Sequence, residues 1–281
     1  MKILAIGAHQ DDNEFRLGGL AYRWARSGHE VKFLSMCNGS GGHHIMTPRQ
    51  TSARRAKESQ SVADYLGITY DIWDIDDCTL MPDLETRFRL IRYIREFNPD
   101  LVIAHRTNDY HADHRASAQL VQDASYLLTV PHTCPQTAAM RRMPVIVYSE
   151  DTFKYPPFIP DIVVDIGEEL EAKLHISALN ESQVFEWLPY TRGEAVPTNP
   201  EERDAWFRGI DYTDETTDED VLNGGQGYEI RYAKTASRHR RRLIELYGEE
   251  KGSEIRYAEA FMLSEYGSQP SCEFLKELFG I

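Results

Sequence analysis

The stretch KILAIGA at residues 2–8 is followed at once by HQDDNE at residues 9–14, and this junction decides the fold. A continuous apolar run of this length predicts a strand that is buried on both faces, as in a parallel sheet covered by helices. In such sheets, ligands bind beyond the carboxyl ends of the strands. The junction therefore predicts a buried strand that delivers a histidine and several carboxylates to a binding crevice.

The rest of the first half alternates strands with helices. Thr47-Pro48 is typical of a helix start and Gly67 of its end, and Asn98-Pro99 ends the helix that follows. Helices are also predicted at residues 18–26 and 84–94, and strands at residues 31–36, 70–75, 101–104 and 145–148. The alternation predicts the α/β class, with a Rossmann-like, mostly parallel sheet and helices on both faces.

The second half gives weaker signals. Residues 151–161 are rich in proline and aromatic side chains and are predicted to form a loop across the top of the sheet. Residues 168–188 have helical character, residues 194–227 are predicted to be surface loop with short helices, and residues 258–266 to form a terminal element. We therefore expect a metal-binding catalytic core at residues 1–150 and a smaller C-terminal region at residues 151–281 that completes the wall of the substrate cleft.

The composition limits the function. The 281 residues carry a formal charge of −14, which argues against a nucleic-acid-binding protein because such a protein needs a basic face. The four cysteines are far apart, so neither a thiolate zinc site nor a disulfide framework is indicated. No apolar run is long enough to span a bilayer, and no signal-peptide pattern is present. We expect a cytoplasmic protein with no membrane span. The sequence is compatible with both a monomer and a homo-oligomer.

A second polar cluster, His111-Ala112-Asp113-His114, lies a few residues beyond the strand at residues 101–104. The two clusters together offer three imidazoles and several carboxylates, whereas catalytic zinc needs three protein ligands and an open position for water. Of Asp11 and Asp12, one can bind the metal while the other faces the water, because adjacent side chains on a turn diverge. His111 and His114 share one face if a helix has begun. The chain is therefore predicted to be a metal-dependent hydrolase.

Simpler interpretations of each cluster exist. Two aspartates after a strand are often a helix cap, and the histidines of the second cluster could be surface residues of a capped helix start. The clusters could also form separate sites. Their joint position at strand carboxyl ends in an α/β pattern favours a shared metal site.

The two clusters together resemble the signature of the PIG-L/LmbE-like zinc deacetylases. The first motif of that family is usually Ala-His-Pro-Asp-Asp-x-Glu, and this chain has Gln10 at the proline position; the second motif is His-x-Asp-His. Arg55 and Glu58 match an Arg-x-x-Glu helix start of the family, and residues 257–261 also resemble it. Because proline contributes no ligand, Gln10 leaves the expected metal site intact.

The resemblance implies a role for each residue. His9, Asp12 and His114 would bind one zinc ion, and Asp11 would be the general base. His111 would stabilise the oxyanion or protonate the departing amine, and Asp113 would tune His111. In addition, Arg55 would hold a polar group of the substrate.

The implied reaction is hydrolysis of an N-acetyl group on a small-molecule amino sugar or glycoside, with release of acetate. The alternatives are an amidase that cleaves a larger acyl group and a non-catalytic carbohydrate- or metal-binding protein on the same fold. Asp11 favours an enzyme, because a binding protein has no need for a spare carboxylate beside the ligands. Residues 38–42 are expected to form a flexible wall of the site, whereas His43, His44 and His105 are expected to have no catalytic role.

Overall fold

One mixed sheet organises the chain in the computed structural model, which describes residues 1–209, 213 and 215–281. The strands are β1 (Lys2–Gly7), β2 (Glu30–Ser35), β3 (Thr69–Ile72), β4 (Leu101–Ala104), β5 (Val145–Ser149), β6 (Ile162–Asp165) and β7 (Ala258–Leu263). Their order across the sheet is β3-β2-β1-β4-β5-β7-β6. The first five strands are parallel, and β7 runs antiparallel between β5 and β6. The predicted α/β fold with a mostly parallel sheet is confirmed.

The strand order creates a natural binding position. The chain builds outward from β1 to β2 and β3, then returns to the other side of β1 to form β4, so that Ile3 is paired with both Val31 and Leu101. A crevice opens at such a reversal of strand order, beyond the carboxyl ends of the two strands. The polar clusters that follow β1 and β4 both lie at this crevice.

Helices cover both faces of the sheet. In the described part of the chain they are α1 (Asp12–Arg26), α2 (Pro48–Leu66), α3 (Leu84–Phe97), α4 (Ala112–Leu127), α5 (Leu170–Leu179), α6 (Leu188–Arg192), α7 (Pro200–Arg208), α8 (Asp218–Asn223), α9 (Tyr228–Arg238), α10 (Arg240–Tyr247), α11 (Glu249–Glu254) and α12 (Cys272–Phe279). The predicted boundaries of α2 are confirmed: Thr47 caps its start and Gly67, with φ of 73°, ends it. None of the described helices is both long and apolar enough to cross a membrane.

Helix α1 begins earlier than the predicted start at residue 18. Its backbone leaves helical geometry at Leu17, with φ of −141° and ψ of 17°, so that α1 is two helical pieces joined at a kink. The backbone amides of Gly19 and Leu20 donate to the carboxylate of Glu259 at 2.8 and 3.0 Å. Glu259 therefore supplies the acceptors that the second piece needs at its start. The periodicity of the sequence revealed only that second piece.

The apolar residues of β1 explain why its run is continuous. Leu4 and Ile6 pack on one face of the sheet with α3 and α4, whereas Ile3 and Ala5 pack on the other with α1 and α12. Successive side chains of a strand point to opposite faces, so burial on both faces requires apolar residues at every position.

The C-terminal half contributes to the same sheet. Neither β6 nor β7 was predicted as a strand, although β7 falls within the terminal element predicted at residues 258–266. The predicted regions 1–150 and 151–281 both supply strands to the sheet, and their division remains a prediction. The segment predicted as surface loop with short helices contains α7 and α8, while its residues 210–212 and 214 lie outside the described residues.

Candidate metal site

The two polar clusters meet at the crevice between β1 and β4. The Nδ1 atom of His9 lies 3.2 Å from Nε2 of His114, which in turn lies 3.3 Å from Oδ1 of Asp12. Nδ1 of His9 is also 3.8 Å from Oδ2 of Asp12. Ligand atoms about 2.0–2.1 Å from a tetrahedral zinc ion lie roughly 3.3 Å apart. The predicted ligand residues are therefore brought together, with His114 beside Oδ1 of Asp12 and His9 nearer to its Oδ2.

The other nitrogen of each histidine is bound by a carboxylate. Nε2 of His9 is 3.0 Å from Oδ2 of Asp113, and Nδ1 of His114 is 3.1 Å from Oδ1 of Asp109. Zinc-binding histidines typically donate their second N–H to such a partner, which fixes the tautomer and the ring orientation. The arrangement leaves Nδ1 of His9 and Nε2 of His114 free to bind a cation. Sequence reasoning missed Asp109, which lies outside both motifs.

Asp12 is held by the turn that follows β1. Its Oδ2 accepts hydrogen bonds from the backbone amides of Ala8 and His9 at 3.0 and 2.8 Å, so that Oδ1 faces His114. His105, which we expected to have no catalytic role, lies beside Asp12 and His114. Its Nε2 lies 3.2 Å from Oδ2 of Asp12, and its ring stacks on that of His114 at 4.3 Å.

Asp11 occupies the turn in a strained conformation. Its φ of 108° lies in the region that favours glycine, and strain of this kind clusters at functional sites. Its backbone amide donates to Oε2 of Glu14 at 3.2 Å, which helps to hold the turn. Burial raises the pKa of Asp11 to about 6; the charge of Arg55 opposes this shift and that of Asp12 adds to it. A carboxylate with such a pKa is suited to accept a proton near neutral pH.

Arg55 is more deeply buried than expected for a residue whose only role is to bind substrate. It is 2% exposed, its guanidinium donates to the carbonyl oxygen of Gln10, and it is 3.3 Å from Oδ2 of Asp11. Arg55 therefore braces the Asp11 turn, although it also lines the cavity described below.

His111 is half-buried at the start of α4. Its Nδ1 accepts the backbone N–H of Asp113 at 3.1 Å, so that the proton of the neutral ring is on Nε2. Burial and the neighbouring His9 and His114 lower the pKa of His111. Oδ2 of Asp113 is 3.8 Å from Nδ1 of His111 but 3.0 Å from His9. Asp113, which we expected to tune His111, thus makes its direct side-chain contact with His9.

Several groupings of potential ligands share these residues. His9, His111 and His114 form one, and Asp12, His105 and His114 form another, each with donor atoms within 4.8 Å of one another. Cys37 with Asp77, and Cys78 with Asp113, complete two more groupings around His9 and His111. His111 as a further metal ligand is thus a geometric alternative to His111 as a hydrogen-bond donor.

A cavity of about 770 Å³ opens above these residues. Its wall includes Gly41 and Gly42 from the loop that was predicted to line the site. Much of the remainder comes from the C-terminal half, including Trp187, Trp206 and the residues of α9 from Tyr228 to Arg238. Tyr110, which sequence reasoning did not single out, also faces the cavity beside His111 and His114. A small organic molecule fits a cavity of this size.

His43 and His44 do not belong to these groupings. Nε2 of His43 is 2.7 Å from a carboxylate oxygen of Glu186, and the ring of His44 stacks on Tyr190 at 3.8 Å. Through these contacts, both histidines attach the loop after β2 to the helical segment at residues 182–192.

Fold and site together define an α/β protein with a candidate metal centre at the reversal of its strand order. Residues 4–125, which contain both polar motifs, match the family PIG-L, described as GlcNAc-PI de-N-acetylase. The match to this family covers the part of the chain that carries both motifs, and the resemblance identified from the motifs is confirmed.

Two curated relatives have different activities. A 4-oxalmesaconate hydratase of Pseudomonas putida is 25% identical over 197 residues, which cover 67% of this chain and 76% of the relative. A diacetylchitobiose deacetylase of Thermococcus kodakarensis is 27% identical over 206 residues, which cover 69% of this chain and 76% of the relative. The similarity thus extends to a hydratase as well as to a deacetylase.

Solved structures extend the likeness across the chain. An N,N'-diacetylchitobiose deacetylase of Pyrococcus horikoshii superposes with a TM-score of 0.65 at 21% identity, covering 97% of this chain and 88% of that one. A 4-carboxy-2-hydroxymuconate hydratase of Pseudomonas putida gives a TM-score of 0.69 at 20% identity, covering 96% of this chain and 98% of that one. At these identities the two structures establish the fold.

Proposed function

We propose that this chain is a zinc-dependent hydrolase that removes an N-acetyl group from an amino sugar or glycoside and releases acetate. The observation that carries the proposal is the convergence of His9, Asp12 and His114 beside a spare carboxylate, Asp11, at the floor of a cavity. The family match and the deacetylase relative support the choice of reaction. One ion per chain would be held by the three ligand residues.

The donor set fits zinc by its chemistry. Two imidazoles, each braced by a carboxylate, and one aspartate oxygen are borderline ligands of the kind that zinc prefers. When bound, zinc would polarise the amide carbonyl and acidify the attacking water.

The remaining steps fall to side chains. Asp11 removes the proton from the water, since it lies next to a ligand and is not needed as one. It can then pass that proton to the departing nitrogen. Nε2 of His111 carries a hydrogen while Nδ1 accepts from the backbone, so His111 can donate a hydrogen bond to the carbonyl oxygen as negative charge develops there.

The test is acetate release from a panel of N-acetyl sugars by zinc-loaded protein. We expect Asp11→Asn to retain zinc and to lose about two to four orders of magnitude in turnover. Asp64→Asn, which changes an exposed aspartate of α2, is the matched control and should behave as wild type. Zinc content near one per chain, with no acetate from any N-acetyl compound, would overturn the proposed reaction. Near-normal turnover in Asp11→Asn would show that another group activates the water.

A second candidate is hydration of a carbon–carbon double bond in an unsaturated acid. The similarity to 4-oxalmesaconate hydratase over 76% of that relative favours it. The same residues serve this chemistry: Asp11 would activate the water, and a cation at the ligands would stabilise the charge that develops on the acid. Loss of ultraviolet absorbance from 4-oxalmesaconate, without acetate release from sugars, would favour the hydratase.

A further inference from the structure

Two arginines face the cavity beside the candidate metal site. Arg16 follows Asp12 by four residues in the first piece of α1, and Arg231 is in the first turn of α9. Side chains four residues apart on a helix have Cβ atoms about 5–6 Å apart. Arg16 can therefore reach a group that lies roughly one helical turn from the metal ligands.

Four of the five other lysines and arginines that line the cavity are ion-paired, and the fifth donates to backbone carbonyl oxygens. They are Arg55 with Asp11, Lys173 with Glu259, Arg192 with Glu194, Lys234 with the carbonyl oxygens of Gly224 and Gly225, and Arg238 with Glu150. These contacts use most of the cationic side chains for structure. Arg16 and Arg231 also line the cavity, and their charges take no part in these contacts.

Neither arginine has a carboxylate within ion-pair distance in the described part of the chain. The guanidinium of Arg16 donates to the backbone carbonyl of Glu150, and that of Arg231 lies 5.4 Å from the ring centroid of Phe15. Burial and the positive charge of Arg231 lower the pKa of Arg16, while the charges of Asp12, Glu150 and Asp109 act against this shift. The chain as a whole carries a charge of −14, so its composition does not account for two cations without an ion-pair partner at this cavity.

We propose that Arg16 and Arg231 bind an anionic group of the substrate, a carboxylate or a phosphate, within reach of the candidate metal site. A guanidinium offers a fork of N–H donors that matches either oxyanion, and the bound charge would relieve the repulsion between the two arginines. The inference rests on the proposed function only in taking this cavity as the substrate site. It deepens that function by assigning the substrate a negative charge.

The test uses small acids that differ at one end. Monomethyl succinate, succinate and 3-phosphonopropionate share one carboxylate and end in an ester, a carboxylate and a phosphonate. Their dissociation constants for zinc-loaded protein are measured by calorimetry. The readout is the dissociation constant of the ester divided by that of each doubly charged acid. Binding of the shared carboxylate to zinc contributes to both constants and cancels in their ratio.

We expect wild type to prefer at least one doubly charged acid by about ten- to one hundred-fold, the range for hydrogen bonds between charged groups. Arg16→Gln and Arg231→Gln should each reduce the preference about ten-fold, and Arg231→Lys should retain part of it. Arg241→Gln removes a cation whose side chain is 94% exposed, and it should keep the full preference. Melting temperatures of all variants establish that they fold.

Each outcome has one meaning. Stronger binding of succinate identifies a carboxylate site, and stronger binding of the phosphonate identifies a phosphate site. No preference in wild type, or a preference unchanged in both glutamine variants, would overturn the proposal. Acetate release from sugars is measured separately. A protein that shows the preference but releases no acetate keeps its anion site and loses the proposed deacetylation.

Discussion

The crevice between β1 and β4 and the wall supplied by α9 are built in different ways. In the crevice, each of the two strands is followed by a short motif, and most of the hydrogen bonds that orient the proposed ligands join residues of those motifs or their immediate neighbours. Across the cavity, α9 is positioned by contacts with residues far away in the chain. Thr235, Arg238 and His239 all bind the carboxylate of Glu150, which follows β5.

The difference separates two kinds of requirement. Metal binding needs three donor atoms at fixed spacing, and short turns at the ends of paired strands provide that spacing locally. Substrate recognition needs shape and charge at a distance from the metal, which the distal wall can supply without disturbing the ligands. Changes to the crevice should therefore affect metal binding and turnover, whereas changes to the contacts of α9 should affect stability or selectivity.

The largest effect is expected from His114→Ala. This change removes one of the three proposed ligands and leaves Asp109 without its imidazole partner. We expect loss of most bound zinc together with loss of activity, measured by elemental analysis of the purified variant. His132→Ala, which removes an exposed histidine, is the control. Full zinc retention in both His114→Ala and His9→Ala would contradict the assignment of metal binding to the crevice.

An intermediate effect is expected from Asp113→Asn. Because Asp113 contacts Nε2 of His9 at 3.0 Å, its loss should weaken zinc binding by about ten- to one hundred-fold, as is typical for partners of metal ligands. Competition with a chelator measures the affinity. If Asp113 instead acts mainly through His111, zinc affinity will stay at the wild-type value while the pH–rate profile shifts.

The smallest effect is expected from Glu150→Gln, which weakens the attachment of α9. Burial opposes ionisation of Glu150, but the hydrogen bond from His239 and the charge of Arg238 lower its pKa to about 2. A carboxyl whose pKa is lower in the folded than in the unfolded protein stabilises the fold above its ordinary value of 4.5 and loses that contribution as pH falls toward 2. The variant should lose about 1–3 kcal/mol of unfolding free energy at pH 7.

Urea unfolding at several pH values checks the sign of this effect. The difference between wild type and Glu150→Gln should shrink below about pH 4.5. Glu254→Gln, an exposed glutamate of α11, is the matched control. A difference that is constant with pH would mean that packing of the side chain, and not its charge, attaches α9.

Much of the site could be predicted because its residues follow strands that the sequence marks clearly. His9, Asp11 and Asp12 directly follow the apolar run of β1, and His111 to His114 begin the helix after β4. Asp109 and His105 were missed for a physical reason. A single polar residue in a loop carries no periodic signal, and its importance depends on which strand lies beside its own.

By itself, the sequence determined the parallel sheet, the boundaries of α2 and the two motifs that converge. Those features depend on local patterning: continuous apolar runs, caps and motif spacing. Only the tertiary structure placed β7 inside the sheet, brought Asp113 into contact with His9, and placed Arg16 and Arg231 at the same cavity. These arrangements are contacts between residues distant in the chain, and no local pattern encodes which partner a side chain meets.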